Sequence, residues 1–130
     1  MNESTIAELL DLTQQLLDSI ALGDWATYEE LCDETLSAFE SEARGHLVEG
    51  MDFHRFYFEL DRAVHPVNTT IVAPHVRMLG DDVAVLSYIR LIQCADGNGP
   101  PSTERFEETR VWQRQDGRWR HVHFHRSANA

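Results

Sequence analysis

Thr103-Glu104-Arg105-Phe106-Glu107-Glu108-Thr109-Arg110-Val111-Trp112-Gln113 is followed, after Asp116-Gly117, by Arg118-Trp119-Arg120-His121-Val122-His123-Phe124-His125-Arg126, and this stretch decides the fold. Two strand-like segments flank a dipeptide suited to the positive-φ positions of a hairpin. Toward the N-terminus, Asp96-Gly97-Asn98-Gly99-Pro100-Pro101 is the clearest loop, Val83–Cys94 a long strand, and Gly80-Asp81-Asp82 a turn. Residues 69–73 and 74–78 predict one strand broken at Pro74, which favours an edge or a bulge. Before Thr69 the apolar period is helical. Residues 5–22 carry Ile6, Leu9, Leu10, Leu16, Leu17 and Ile20 at helical spacing, with a Thr5/Glu8 capping-box pattern at the start and Gly23 as a stop. Asp24 caps a second, short helix with Trp25, Tyr28 and Leu31. Leu36-Ser37-Ala38-Phe39 predicts a short strand before a polar loop. A third helix over residues 50–60 presents Phe53, Phe56, Tyr57 and Leu60 as its apolar face. Helices first and an antiparallel meander afterwards is an α+β pattern, and residues 1–130 read as one domain without repeats or linkers.

Three arginines stand out against this background. Arg90, Arg110 and Arg126 each share a period-2 face with large apolar residues. A guanidinium on a core-facing register is costly unless an anion meets it. Either carboxylates such as Glu104, Glu107, Glu108 or Asp52 neutralise the three, or the sheet is shaped around a pocket for an anionic guest. The hairpin register bears on this. A two-residue Asp116-Gly117 loop pairs Gln115 with Arg118 and sets Arg110 opposite His123, on the other face from Arg126. A three-residue loop, with Gly117 left-handed, pairs Arg114 with Arg118, Arg110 with Val122 and Phe106 with Arg126. That register gathers Arg110, Trp112, Val122, Phe124 and Arg126 on one face and leaves Trp119, His121, His123 and His125 on the other. It uses the apolar residues better and is the register expected.

The whole chain sets further bounds. Its 130 residues include 22 acidic and 11 basic side chains, a formal net charge of −11, which argues against a nucleic-acid surface. The two cysteines, Cys32 and Cys94, make no metal-type spacing, and no apolar run is long enough to span a membrane. A cytoplasmic protein without cofactor or metal is expected.

The segment Val48-Glu49-Gly50-Met51-Asp52-Phe53-His54-Arg55-Phe56-Tyr57-Phe58-Glu59 closely resembles the association (hub) domain of calcium/calmodulin-dependent protein kinase II. Thr69-Thr70-Ile71, Tyr88-Ile89-Arg90-Leu91, Glu107-Glu108-Thr109-Arg110-Val111-Trp112 and Val122-His123-Phe124-His125-Arg126-Ser127 resemble it too, in order along nearly the full chain. The resemblance implies the nuclear transport factor 2-like (SnoaL-like) fold, a curved antiparallel sheet around helices with a deep pocket. It also implies self-assembly, built from dimers and extending to rings, and a pocket that receives small carboxylates. Carried onto this chain, the ligand-binding residues are Arg90, Arg110 and Arg126, with His54 near the mouth; on its own chemistry Tyr57 is expected to add a hydroxyl to the same site. Kinase activity is not expected, since no kinase domain or ATP-binding loop precedes Thr5, and direct calmodulin binding is not expected because the first helix carries Glu8, Asp11 and Asp18 and no basic residue. The chain reads as a stand-alone relative, and residues 60–66 depart from the family pattern.

Trp119, His121, His123 and His125 are expected to form an outer-face interface with another subunit. Three histidines at i, i+2, i+4 also suggest metal, but no carboxylate is spaced to complete the site, so no metal is assigned. His54, paired with Asp52 or Glu108, is the best candidate for a general base if the pocket is instead that of an isomerase, dehydratase or cyclase. Fold alone does not decide between binding and catalysis.

Overall fold

Apolar side chains at helical spacing place the first helix, α1 (Glu3–Leu22), with Leu9, Leu16 and Leu17 wholly buried. The computed structural model describes residues 3–60, 67–95 and 97–127. Helix α1 starts ahead of Thr5, so Thr5 and Glu8 lie inside it rather than forming the expected capping box. Thr13 shares the buried stripe. Its hydroxyl donates to the Leu9 carbonyl at 2.8 Å and accepts the Trp112 indole N–H at 3.1 Å, pinning helix to sheet. Gly23 ends α1 with φ 69°, the left-handed conformation that suits glycine. Asp24 then caps α2 (Trp25–Leu31), its carboxylate accepting from the Thr27 amide at 3.2 Å and the Thr27 hydroxyl at 2.6 Å.

Six strands follow: β1 (Cys32–Phe39), β2 (Val48–Glu49), β3 (Val67–Met78), β4 (Val83–Cys94), β5 (Ser102–Gln115) and β6 (Arg118–Arg126). They form one sheet in the order β2-β1-β6-β5-β4-β3. The β1–β6 pairing is parallel and the others are antiparallel. A 3-10 turn (Ser41–Ala43) and the two-residue β2 occupy the region expected to be a polar loop. Pro74 behaves as anticipated. Strand β3 is the sheet edge, and its register slips between Val72 and His75, where Ala73 takes φ 52°.

The β5–β6 hairpin corrects the expected register. Asp116 and Gly117 form a two-residue turn with φ 52° and 81°, and Gln115 pairs with Arg118. A bulge at Val122 then restores what the longer loop was meant to achieve: Trp112 pairs with His121, whereas Arg110 pairs with Phe124 and Glu108 with Arg126. One extra residue inside the strand, rather than in the turn, brings Arg110, Trp112, Phe124 and Arg126 to one face. It moves Trp119 and His121 to that face as well, where both are buried, and takes Val122 out of the group.

Helix α3 (Asp52–Glu59) also differs from expectation. It turns His54 and Phe58, one helical turn apart, toward the core, with Phe58 against Tyr28 and Trp25 at ring separations of 4.8 and 5.2 Å. Phe53 is half-buried, whereas Phe56, Tyr57 and Leu60 are exposed. So short a helix buries a narrow edge rather than a full stripe.

Candidate functional site

Alternation along β4 and β5 carries polar groups onto the buried face among the apolar ones. Tyr88 lies opposite Glu108 and Leu86 opposite Arg110, with Arg90 one pleat farther along β4. Glu108 is the hub. One carboxylate oxygen accepts the Tyr88 hydroxyl at 2.6 Å and the Arg110 Nη2 at 3.1 Å; the other accepts the Arg90 Nη1 at 2.9 Å. Burial alone would raise the Glu108 carboxyl pKa. The two guanidinium groups and the Tyr88 hydrogen bond overcome this and hold it at about 2. Arg110 is 1% exposed and engaged at every nitrogen. Its Nε donates to the Tyr88 oxygen at 2.8 Å, its Nη1 meets His121 Nε2 at 3.3 Å, and its guanidinium lies 4.4 Å from the Phe124 ring centre.

That contact fixes a tautomer. A guanidinium can only donate, so His121 Nε2 accepts and the imidazole proton sits on Nδ1, facing the Cys32 sulfur at 3.4 Å. Burial and the adjacent Arg110 charge push the His121 pKa well below its ordinary value, so the ring is neutral. Burial pushes the Cys32 thiol up to about 12, which makes it a packed, unreactive group.

Arg126 stands apart from this network. Its guanidinium lies over Phe106 at 5.1 Å and donates to both oxygens of Glu42, one of them at 2.6 Å, with a Glu40 oxygen 4.0 Å away. The other Glu40 oxygen is 3.3 Å from His54 Nδ1. The partner of His54 is therefore Glu40, at the end of β1, rather than Asp52 or Glu108. Chain direction explains this: Glu40 continues the period-2 face of β1 one residue past Phe39, and the 3-10 turn Ser41–Ala43 brings Glu42 to Arg126 beside it.

These groups meet at one cavity of about 570 Å³, part of it open to solvent. Arg90, Arg110, Arg126, His54 and Tyr57 all line it, so the five expected ligand-binding residues share a wall. Glu40 and Glu42, which sequence reasoning passed over, line it too, with Tyr28, Phe58 and Phe124 as apolar walls. Three buried nitrogens on its lining residues have no hydrogen-bond partner among the described residues: His54 Nε2, Arg90 Nε and Arg126 Nε.

The expected outer-face row divides. Trp119 and His121 belong to the core, because the Val122 bulge turns them inward. His123 and His125 remain on the outer face beside Phe39, at ring separations of 6.5 and 5.5 Å. His123 Nδ1 is 2.7 Å from the Ser37 hydroxyl. His121 thus does not share a face with the other two histidines, and three imidazoles cannot converge there.

Six strands curved against three helices around such a cavity define a nuclear transport factor 2-like fold. An NTF2-like protein from Cytophaga hutchinsonii has it at 21% identity, with a TM-score of 0.77 over 98% of this chain and 99% of that one. Residues 5–130 match the family described as the calcium/calmodulin dependent protein kinase II association domain, and the chain belongs to that family. It is 53% identical over 124 residues to the delta subunit of calcium/calmodulin-dependent protein kinase type II from Oryctolagus cuniculus. That match covers 94% of this chain and 23% of the kinase subunit, so the chain spans about a quarter of that relative's length. Among solved structures, the hub homology domain from Chlamydomonas reinhardtii matches with a TM-score of 0.91 at 50% identity, covering 97% of this chain and 99% of that one. The association domain of the C. elegans kinase matches with a TM-score of 0.90 at 43% identity, covering 97% of each chain. No helix among the described residues is long and apolar enough to cross a membrane.

Proposed function

We propose that this chain is an association module that assembles with copies of itself and holds a small carboxylate in its arginine-lined cavity. Membership of an association-domain family supports assembly from dimers, with rings as the larger form. The half-exposed face of His123, His125 and Phe39 is the surface this reading assigns to a neighbour. Light scattering at micromolar concentration should give a dimer or a multiple of it, and a monomer would remove the assembly role. Nucleic acid, membrane and calmodulin are not partners in this reading, which the net charge of −11 supports. A cytoplasmic setting fits the unpaired Cys32 and Cys94.

One observation carries the ligand role: His54 Nε2, Arg90 Nε and Arg126 Nε are buried without partners among the described residues, and their residues line one cavity. Two of them are guanidinium N–H donors, for which a planar oxyanion is the matching acceptor. Propionate and benzoate should raise the melting temperature with concentration, and Arg126→Met should remove the effect. No shift at millimolar acid would dismiss the pocket.

A second reading rests on the His54–Glu40 pair, which leaves Nε2 unpartnered at the cavity, as a general base requires. Such a site would exchange the α-protons of a bound acid with deuterated solvent. Proton NMR of propionate incubated with the protein would detect it, and His54→Ala should stop it.

A further inference from the structure

Among the described residues, the charges around the cavity balance. Arg90, Arg110 and Arg126 bring three positive charges, matched by Glu108, Glu40 and Glu42, and His54 adds another only when protonated. An incoming carboxylate therefore meets a neutral site rather than a positive one. It must either bring a proton with it or replace an anion already present.

The three resident carboxylates differ in their freedom to leave. Glu108 is fully buried, shared by two guanidinium groups and a tyrosine hydroxyl. Glu40 is 10% exposed and lies between His54 and Arg126. Glu42 is 37% exposed, stands on the 3-10 turn Ser41–Ala43, and its hydrogen-bond partner among the described residues is Arg126. Rotating the Glu42 side chain outward returns its carboxylate to water without breaking any strand pairing. Arg126, whose Nε is also unpartnered, is then left facing the cavity with a donor edge free.

We infer that a small monocarboxylate enters by exchange, displacing Glu42 from Arg126 so that the guest oxygens take the place of the Glu42 carboxylate. This rests on the carboxylate-pocket reading above. Arg126 is then the guanidinium that accepts the guest, and Arg90 contributes its free Nε. Arg110 is held in place as part of the wall, since each of its nitrogens already has a partner among Tyr88, Glu108 and His121. Glu42 behaves as a tethered competitor that sets the affinity threshold, since only the fraction of molecules with Glu42 swung out is open to the guest. One carboxylate for one carboxylate also favours monoanions, with an apolar body against Tyr28, Phe58 and Phe124.

Isothermal titration of the full chain with propionate and benzoate, at fixed ionic strength, tests this. Glu42→Gln should bind both acids about tenfold or more tightly than the unaltered protein, since the internal competitor and its like-charge repulsion are both removed. Glu42→Ser serves as a second variant, and an unliganded melting curve checks that each folds. Titration in two buffers of different ionisation enthalpy should show proton uptake near zero. Equal affinities for the unaltered protein and both variants would overturn the exchange and leave the anion site standing. Uptake of about one proton per acid would overturn it in favour of His54 protonation. Binding by none of the three proteins, with Glu42 removed, would overturn the exchange and the pocket together.

Discussion

Glu108→Gln is the perturbation from which the structure predicts most. Its carboxylate is the acceptor shared by Arg90 and Arg110, which are 3% and 1% exposed. Glutamine keeps the shape but loses the charge, and its amide nitrogen turns a donor toward guanidinium or hydroxyl donors. Both arginines keep their charges, and water cannot reach them freely. Breaking a buried ion pair from one side costs about 3–5 kcal/mol, against a total of about 5–15 kcal/mol for a domain. With a urea dependence of about 2 kcal/mol per molar, the unfolding midpoint should fall by roughly 1.5–2.5 M. The assay is urea unfolding followed by tryptophan fluorescence at pH 7, at one protein concentration, because assembly couples to apparent stability. Adding Arg90→Leu to Glu108→Gln should recover at least about 1 kcal/mol, since one orphaned charge is then removed.

The same carboxylate predicts a pH dependence. Its pKa is lower in the folded chain, about 2, than the ordinary 4.5, so the unfolded chain binds the proton more readily. The resulting stabilisation is complete above pH 4.5 and is lost as pH falls from there toward 2. It amounts to on the order of 3 kcal/mol, and Glu108→Gln should lack this acid-sensitive component. A loss below about 1 kcal/mol for Glu108→Gln, or an unchanged acid limb, would refute the view of Glu108 as the buried keystone of two arginines.

Three further outcomes follow from local geometry. Gly117→Ala should cost about 1 kcal/mol in the same urea assay, because φ 81° in the hairpin turn places a Cβ in a strained conformation, although no atom obstructs it. Asp24→Ala should cost about 1 kcal/mol by removing the two Thr27 contacts that cap α2, whereas Asp24→Asn should lose less. His121 is held neutral by burial, so the unfolded chain protonates first. Stability should decline as pH falls below 6.5, and His121→Phe, which cannot titrate, should flatten that part of a pH series of melting curves.

Much of the architecture was legible because it rests on periodicity. The α1 stripe, the Asp24 cap, the Pro74 irregularity at an edge strand and the β4 boundaries all follow from local residue chemistry. The face of β6 did not, because Val122 forms a bulge for reasons outside its own segment. Trp119 and His121 must reach the core next to Trp112 while Phe124 must cover Arg110, and no uniform alternation satisfies both. The face of α3 was misread for a related reason: four aromatic or aliphatic residues looked like a core stripe, whereas the cavity required His54 inside. The arginines were visible as charges on a core face, but their partners were only partly so. Glu108 was among the candidates. Glu40 and Glu42 were overlooked, although Leu36, Ala38, Glu40 and Glu42 form a period-2 series that leaves a core strand and ends in two carboxylates. Residues 61–66, where the family pattern weakens, lie outside the described residues.

The three arginines raised a single question, structural pairing or ligand pocket, and the geometry gives it two answers. Arg110 is held at each nitrogen by groups that are themselves buried, so its charge is a fixed cost offset within the core. Arg126, itself 15% exposed, meets an anion that is 37% exposed and carried on a turn. That anion can return to water by turning its side chain, which a binding site needs and the buried Glu108 cannot do. Arg90 lies between the two regimes, with Nη1 committed to Glu108 and Nε left unpartnered. The gradient runs from Arg110 through Arg90 to Arg126, and it points from the packed floor of the cavity to Glu42 and solvent. A guest entering along it meets the displaceable carboxylate first and the immovable one last.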